Sequence, residues 1–413
     1  MSRALWPGAT LGVMGGGQLG RMFVQSAQAM GYFTAVLDPD PTSPAGMVAH
    51  YHVQTDYLDE QGLAQLMQRC AAITTEFENV PAAALTTLGA HRPTAPGADA
   101  VAICQDRARE KAHFARCGVA CAPHAVIESQ SQIDAVDGAL FPAILKTAQL
   151  GYDGKGQADV VDRAGLHAAF MGMGGVRCVL EQRLALQHEI SVIVARGANG
   201  DIVNLPVQQN LHHAGILALT QVPAPDVAAA VQQQAIDAAR RVAESMAYVG
   251  VLCVEFFVLE GGALVANEMA PRPHNSGHYS INACDQSQFD LQVRALTGLP
   301  LVQPRQHSAA IMINLMGDLW WRGGGAMAQA PDWAAVLALP GAHLHLYGKA
   351  GARQGRKMGH LTLTAEQPGP LRAVARQAAE LLGLDQLVDA IGVIGVIGDS
   401  NANRAANAAS APR

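Results

Sequence analysis

The sequence predicts a mixed α/β and α+β fold in three successive parts, and three observations carry that expectation. The N-terminal stretch alternates short apolar strands with helices. Midway along the chain, two apolar, β-branched runs joined through Gly261-Gly262 mark an antiparallel hairpin. Beyond about Gly298 the pattern changes to isolated strands with a single helix, a small mixed unit.

Thr10–Met14 is a short apolar strand, Gly15–Gly20 a turn and Arg21–Met30 a helix, with Thr34–Leu37 a second strand that closes at Asp38. Ala71–Thr75 is a further buried strand and Val80–Leu88 a helix, so the rhythm favours a parallel sheet with helices on its faces. The Pro-marked stretch Arg92–Gly97 ends this unit. One helix is expected over Asp99–Cys117, then strands at Ala122–Glu128 and Phe141–Lys146. Cys178–Gln182 and Ile190–Ala195 are β-branched strands, and Val227–Ala243 has the apolar spacing of a long helix. The hairpin follows at Val251–Val258 and Ala263–Glu268. Ala309–Leu315, Ala342–Leu346 and Gly359–Leu363 are the last strands, with a helix near Leu371–Leu382. The Asn/Ala/Ser-rich tail from Asp399 has the composition of a disordered segment.

The chain has 413 residues, half of them hydrophobic, with a formal charge of −6. That balance argues against nucleic-acid and membrane-surface binders, which carry a basic face. The 7 cysteines are scattered and form no C-x-x-C pair, so neither a disulfide framework nor a thiolate zinc site is expected. There is no secretory leader pattern and no apolar run of ~18 residues, and a soluble cytoplasmic protein is the expectation.

Several segments carry chemistry. Gly15-Gly16-Gly17-Gln18-Leu19-Gly20 fits G-x-G-x-x-G between strand and helix, with Asp38 at the next strand end. It admits a dinucleotide site with Asp38 on a ribose, a purely structural turn, or an anion pocket for another substrate. In the hairpin, a two-residue Gly261-Gly262 loop places Glu255 opposite Glu268 on one face. Facing carboxylates repel unless a cation lies between them, and oxygen donors of that kind suit Mg²⁺ beside phosphate; a solvated hairpin edge is the alternative. Asn267 falls on the other face of a regular strand, so a bend is needed to bring it in. Lys146 ends an apolar strand, and Gly151-Tyr152-Asp153-Gly154-Lys155-Gly156-Gln157 is either a lid over phosphates or an ordinary hairpin turn. No Walker A loop occurs. His274 and His278 have the i, i+4 spacing of a zinc helix, but Pro271, Pro273 and Gly277 oppose a helix there.

Taken in order, Gly15–Gly20, TEFENVP (Thr75–Pro81), QDRAREK (Gln105–Lys111), GYDGKGQ (Gly151–Gln157), EMAPRPHNSGH (Glu268–His278), YGK (Tyr347–Lys349) and GRKMGH (Gly355–His360) resemble the 5-(carboxyamino)imidazole ribonucleotide synthases of the ATP-grasp superfamily. The resemblance implies a Rossmann-like N-terminal domain over residues 1–98 and an ATP-grasp domain over 99–298 with a lid near 122–187. It also implies a small C-terminal mixed β domain over 299–398, and it leaves a tail, 399–413.

By that similarity Arg107 and Lys146 meet nucleotide phosphates and Gly151–Gln157 is the flap. Glu181, Gln182, Arg183 and Leu184 hold the adenine and hinge region, Glu189 the ribose, and His212 lies nearby. Asn267 and Glu268 complete the ATP site, and Glu255 with Glu268 ligate Mg²⁺. Aminoimidazole ribonucleotide is met by Gly16, Gly17, Gln18, Glu76, Tyr152, Asp153, Arg272, His274, Asn275, Ser276, Lys349 and Arg356. Asp153, Arg272, His274 and Lys349 are the candidates for catalysis. Arg272 and His274 place bicarbonate, and Asp153 orients the amine or takes its proton. The family also implies a homodimer. Lys349 with Arg356-Lys357 has a plainer alternative as a solvated basic loop, and His212-His213 as a surface loop. The implied reaction is ATP-dependent carboxylation of the ribonucleotide through carboxyphosphate.

Overall fold

The computed structural model describes residues 4–151, 156–322 and 328–393; the tail from Asp399 lies outside them. Its first sheet has four parallel strands in the order Tyr51–Val53, Phe33–Leu37, Thr10–Met14, Ala72–Thr75. Its inner strands are buried on both faces, which is why Leu11, Val13 and Met14 follow one another without polar alternation. The helix Gln18–Ala29 starts directly after the glycine turn and buries Leu19, Met22, Phe23 and Val24.

Four antiparallel strands form the second sheet, in the order His124–Ile127, Cys178–Gln182, Ala143–Thr147, Gln157–Val160. The helix Arg163–Gly172, N-capped by Asp162, closes its core with Leu166 and Phe170. The third sheet has nine strands. Its main path runs Leu264–Ala270, Gly250–Leu259, Leu186–Arg196, Gln208–His213, Ile216–Val222, Ala309–Met316, Lys357–Ala365, Ala342–Leu346, with Ile202–Asn204 beside Leu186–Arg196. Val222 pairs with Ala310, so the C-terminal strands extend the central sheet. Ala235, Ala238, Ala239 and Val242 of the helix Ala229–Ser245 lie against Val192, Val194, Leu252 and Val254. The helix Pro368–Leu381 does the same over the C-terminal strands.

The N-terminal unit is fastened to the centre by the helix Gln288–Thr297. Ser287 and Asp290 form a capping box at its start, and it ends at Gly298 in the left-handed region. Phe289, Val293 and Leu296 are buried among Leu19, Phe23 and Val24, each side chain contributing about 1.5–3 kcal/mol. Ser26 Oγ donates to Asp290 at 2.6 Å across the same junction.

Two expectations are corrected. The single helix over Asp99–Cys117 is two, Ala98–Cys104 and Arg107–Arg116, because Asp106 turns its carboxylate onto the N–H groups of Ala108 and Arg109 and starts a new helix. The hairpin loop is the three-residue turn Glu260–Gly262, not two residues, with Gly261 at φ 81° and Leu259 N donating to Ala263 O. That longer loop alone would place Glu255 opposite Asn267. A β-bulge between Glu255 and Phe256 restores the difference, so that Phe256 pairs with Ala266 and Glu255 with Glu268. Asn267 is the extra residue, and the bulge supplies the bend that brings it to the same side as Glu268.

Candidate functional site

A cleft of about 1030 Å³ lies where the second sheet, the third sheet, the glycine turn and the segment from Lys349 to Lys357 converge. Of the residues singled out in the sequence, Gln18, Glu76, Arg107, Lys146, Gly151, Gln157, Glu189 and His212 line it. So do Glu255, Asn267, Glu268, Arg272, His274, Asn275, Lys349 and Arg356. Tyr152, Asp153, Gly154 and Lys155 lie outside the described residues.

The acidic pair is set by the bulged hairpin. Glu268 accepts from Arg107 Nη1 at 3.1 Å, and Glu255 lies 2.9 Å from His274 Nε2. Burial opposes ionisation of Glu255, yet the His274 imidazole hydrogen-bonded to it, with His212 and Arg272 nearby, holds its carboxyl down at about 2. Asn267 Oδ1 is buried without a hydrogen-bond partner, an oxygen left over beside two carboxylates. Such an all-oxygen set fits a hard divalent cation of the Mg²⁺ kind.

Five residues of the QDRAREK segment have a definite place. Gln105 Nε2 donates to Glu78 O and Val80 O, tying this junction to the N-terminal unit. Asp106 caps, and Arg107 at the first helical position points to Glu268. Glu110 accepts from Met269 N at 2.6 Å. Burial, with the Glu268 charge beside it, pushes the Glu110 carboxyl up to about 8 against the pull of Arg107 and Lys111. Lys111 reaches Glu181 at 3.2 Å, and Lys146 reaches the other oxygen of the same carboxylate at 3.1 Å. Burial works against the Glu181 charge, but the two lysines hold its carboxyl below the usual range. Glu181 is therefore an internal counter-ion that fixes Lys146 at the cleft wall. It does not line the cleft, and neither do Gln182, Arg183 or Leu184, where the N–H groups of Gln182 and Arg183 are engaged by Pro123 O and Pro142 O. Glu189 and His212, on adjacent strands, meet at 2.9 Å.

The glycine turn binds carboxylates of its own chain. Gly16 N donates to Asp38 Oδ2 at 2.7 Å, while Gly17 N and Gly20 N donate to Glu76 at 3.0 and 3.1 Å. Asp38 also accepts from Tyr57 Oη and Asp40 N, so both of its oxygens are engaged within the chain. A Cβ on Gly16 would stand 2.5 Å from Ser43 and one on Gly17 2.6 Å from Glu76, so close approach of these side chains demands the glycines. Gly16 and Gly17 do not reach the cleft; Gln18 does.

At the other end Arg272 is held between Glu78 and Pro273 O. His274 Nδ1 lies 2.9 Å from Ser276 Oγ, which orients the ring. Asn275 and Asn314 exchange amide hydrogen bonds at 2.9 and 2.7 Å. Ser276 is fully buried against Ser191 and stands behind the cleft wall. Gly156 also stays off the wall, at φ 71° behind Thr147. Lys349 Nζ donates to Lys357 O at 2.7 Å and lies over the Tyr347 ring, and Arg356 donates to Ala350 O. Arg353, Gln354 and Lys357 line the cleft beside them, as do Glu78 and Glu110 on the facing side. Glu78, Glu110, Arg353 and Gln354 were missed as site residues, although Glu78 and Glu110 sit inside the TEFENVP and QDRAREK motifs.

Known proteins match this chain along most of its length. Residues 8–105 match the ribonucleotide synthetase preATP-grasp domain, 112–289 the ATP-grasp domain, and 310–373 the phosphoribosylaminoimidazole carboxylase C-terminal domain. The N5-carboxyaminoimidazole ribonucleotide synthase of Bacillus subtilis is 39% identical over 359 residues, covering 87% of this chain and 92% of its own. That of Brucella melitensis is 41% identical over 366 residues, covering 87% and 97%. The Staphylococcus aureus synthetase crystallised with ADP superposes with a TM-score of 0.82 at 37% identity, over 92% of this chain and 98% of that one. The Aspergillus clavatus synthase in complex with ADP and 5-aminoimidazole ribonucleotide gives a TM-score of 0.83 at 30% identity, over 92% of this chain and 100% of that one.

Proposed function

The chain belongs to the N5-carboxyaminoimidazole ribonucleotide synthase family, and from that premise we propose how its cleft performs the ATP-dependent carboxylation of 5-aminoimidazole ribonucleotide by bicarbonate. The observation that carries the reading is one cleft with an acidic floor of Glu255 and Glu268 beside the Asn267 amide, two cations at the nucleotide side, Arg107 and Lys146, and a basic rim at Lys349, Arg353, Arg356 and Lys357.

Arg107 and Lys146 take the nucleotide phosphates, with Lys146 held in place by Glu181. Glu255 and Glu268 are the residues that would hold Mg²⁺, with the spare oxygen of Asn267 beside them. Bound there, Mg²⁺ supplies charge neutralisation on the phosphates as the γ-phosphoryl group moves. Bicarbonate attacks the γ-phosphorus, giving carboxyphosphate and ADP. The amine of the ribonucleotide then takes the CO₂ unit, releasing phosphate and a proton. Arg272 and His274 adjoin the acidic floor and orient bicarbonate toward the γ-phosphate, and His274 is itself held by Glu255 and Ser276. The ribonucleotide's 5′-phosphate meets Lys349 and Arg356, whose bonds to Lys357 O and Ala350 O fix them at the rim. Carboxyphosphate is short-lived in water, so the segment Gly151–Gln157 has the task of keeping the site dry.

An ATP-grasp ligase that uses formate is the rival reading. ADP release with aminoimidazole ribonucleotide and either bicarbonate or formate separates the two; formate-dependent turnover would overturn the proposal.

A further inference from the structure

His274 and His278 have the spacing of a paired-histidine metal site, but the prolines oppose a helix there and His278 turns into the core. His278 is buried against Gln288, Phe289 and His360. The partner that His274 does acquire is a cysteine twenty-one positions earlier in the sequence. Cys253 and Glu255 lie on one face of the strand Gly250–Leu259, because alternate residues share a face. After Ala270 the chain turns back through Pro271-Arg272-Pro273 and lays the His274 ring over that face. The Cys253 Sγ, a Glu255 carboxylate oxygen and a His274 ring nitrogen all come within 4.8 Å of one another.

We propose that Cys253, Glu255 and His274 form a binding site for a thiophilic divalent cation of the Zn²⁺ class, and that its occupation takes Glu255 and His274 away from the reaction. The donor set decides the class of ion. One sulfur, one imidazole nitrogen and one carboxylate oxygen suit Zn²⁺, Co²⁺ or Cd²⁺, whereas Mg²⁺ takes oxygen alone. The distances suit it too. His274 Nε2 already lies 2.9 Å from Glu255 Oε1, close to the separation of two ligands on one small ion. The other ring nitrogen accepts from Ser276 N at 3.3 Å and lies 2.9 Å from Ser276 Oγ, which fixes the ring over the strand and offers Nδ1 an acceptor once Nε2 is given to an ion. Access comes from one side only: Glu255 and His274 line the cleft, while Cys253 is fully buried beneath them. An ion entering from the cleft meets three protein ligands and keeps its fourth position toward the cleft, for water or a substrate oxygen. On binding, the Cys253 thiol releases its proton to solvent and its sulfur electron pair forms the bond to the ion; the proton that His274 Nε2 donates to Glu255 gives way as well, the neutral ring keeping its one proton on Nδ1 toward Ser276 Oγ, and nothing is oxidised or reduced.

The binding site rests on the arrangement of these three side chains alone, while its effect on turnover rests on the roles proposed above for Glu255 and His274, so the primary test needs no turnover. Metal-free full-length protein is titrated with Co²⁺ in the absence of nucleotide. One equivalent is expected to bind with thiolate-to-cobalt charge-transfer absorption in the near ultraviolet, and Zn²⁺ is expected to displace it. Cys253→Ser and, separately, Cys253→Ala should lose that absorption, and His274→Gln should weaken Co²⁺ binding. No such band in the wild-type protein overturns the proposal whatever the variants do, and so does a band that survives both Cys253 substitutions. In the ADP-release assay at fixed Mg²⁺, Cys253→Ser should keep its basal rate yet need roughly 10–100-fold more Zn²⁺ for half-inhibition. Equal Zn²⁺ sensitivity of the two proteins would count against the site.

Discussion

Replacing Glu268 with Gln separates the cleft's chemistry from its stability. The Glu268 side chain is 44% exposed, and among the described residues its ion pair is with Arg107 at 3.1 Å. Pairs that wet contribute about 0–1 kcal/mol, and the amide oxygen of Gln still accepts from Arg107. The main-chain bonds of the bulged hairpin do not involve the side chain. A loss of less than about 1 kcal/mol in a chain of this size corresponds to a Tm shift of under about 3 °C. The effect on the reaction is of another order. One of the two charges facing across the hairpin is gone, and removing a single preorganised electrostatic group from a site of this kind typically lowers kcat by about 10²–10³-fold. ADP release at saturating substrates and a thermal melt on the same samples measure both quantities. Glu260→Gln, at the exposed turn of the same hairpin, is the control and should leave each unchanged. Turnover within threefold of wild type in folded Glu268→Gln would refute the metal assignment.

Lys349→Ala should raise KM for aminoimidazole ribonucleotide about tenfold while KM for ATP changes little, since its ammonium lies at the rim beside Arg356 and Lys357; steady-state kinetics in each substrate decides. Asp38→Asn should cost about 2–3 kcal/mol in urea unfolding, because a buried acceptor of Gly16 N, Tyr57 Oη and Asp40 N is made partly a donor; an unchanged midpoint would contradict a structural role for the glycine turn. Acid should reveal the buried histidines. Burial, reinforced by neighbouring imidazoles, drives His278 and His360 well below their usual range, so the unfolded chain takes protons first. Their contribution is complete above about pH 6.5 and is lost as the pH falls, by roughly 1.4 kcal/mol per unit for each. Glu110, raised to about 8, works in the opposite sense over the same range, so the test is a difference. Below pH 6.5, His360→Asn should lose stability less steeply than wild type by about 1.4 kcal/mol per unit, and identical slopes would contradict a buried neutral imidazole at position 360.

Apolar patterning made the parallel strands and the Glu255–Glu268 pairing legible, although the pairing follows from two departures that cancel, a longer loop and a bulge. The strands Gln208–His213 and Ile216–Val222 were invisible to that patterning. Gln208, Asn210 and Thr220 are buried polar residues that bond to Ser191 and to one another, and a hydrophobic period cannot report a polar interior. Glu181 is another buried polar group of this kind, with its two oxygens facing Lys111 and Lys146. The cap at Asp106 was within reach, since an Asp immediately before a charged helical stretch is a start signal. The meeting of Cys253 with His274 was not, because it depends on how a proline-rich turn folds back over a strand.

The most direct measurement is ADP release by the purified chain with ATP and Mg²⁺, comparing bicarbonate and aminoimidazole ribonucleotide together with each one omitted, while the carboxylated ribonucleotide is followed in parallel. The account predicts carboxylated product in step with ADP only when both are present. ADP release coupled to another acyl donor, or full turnover without the ribonucleotide, would contradict it.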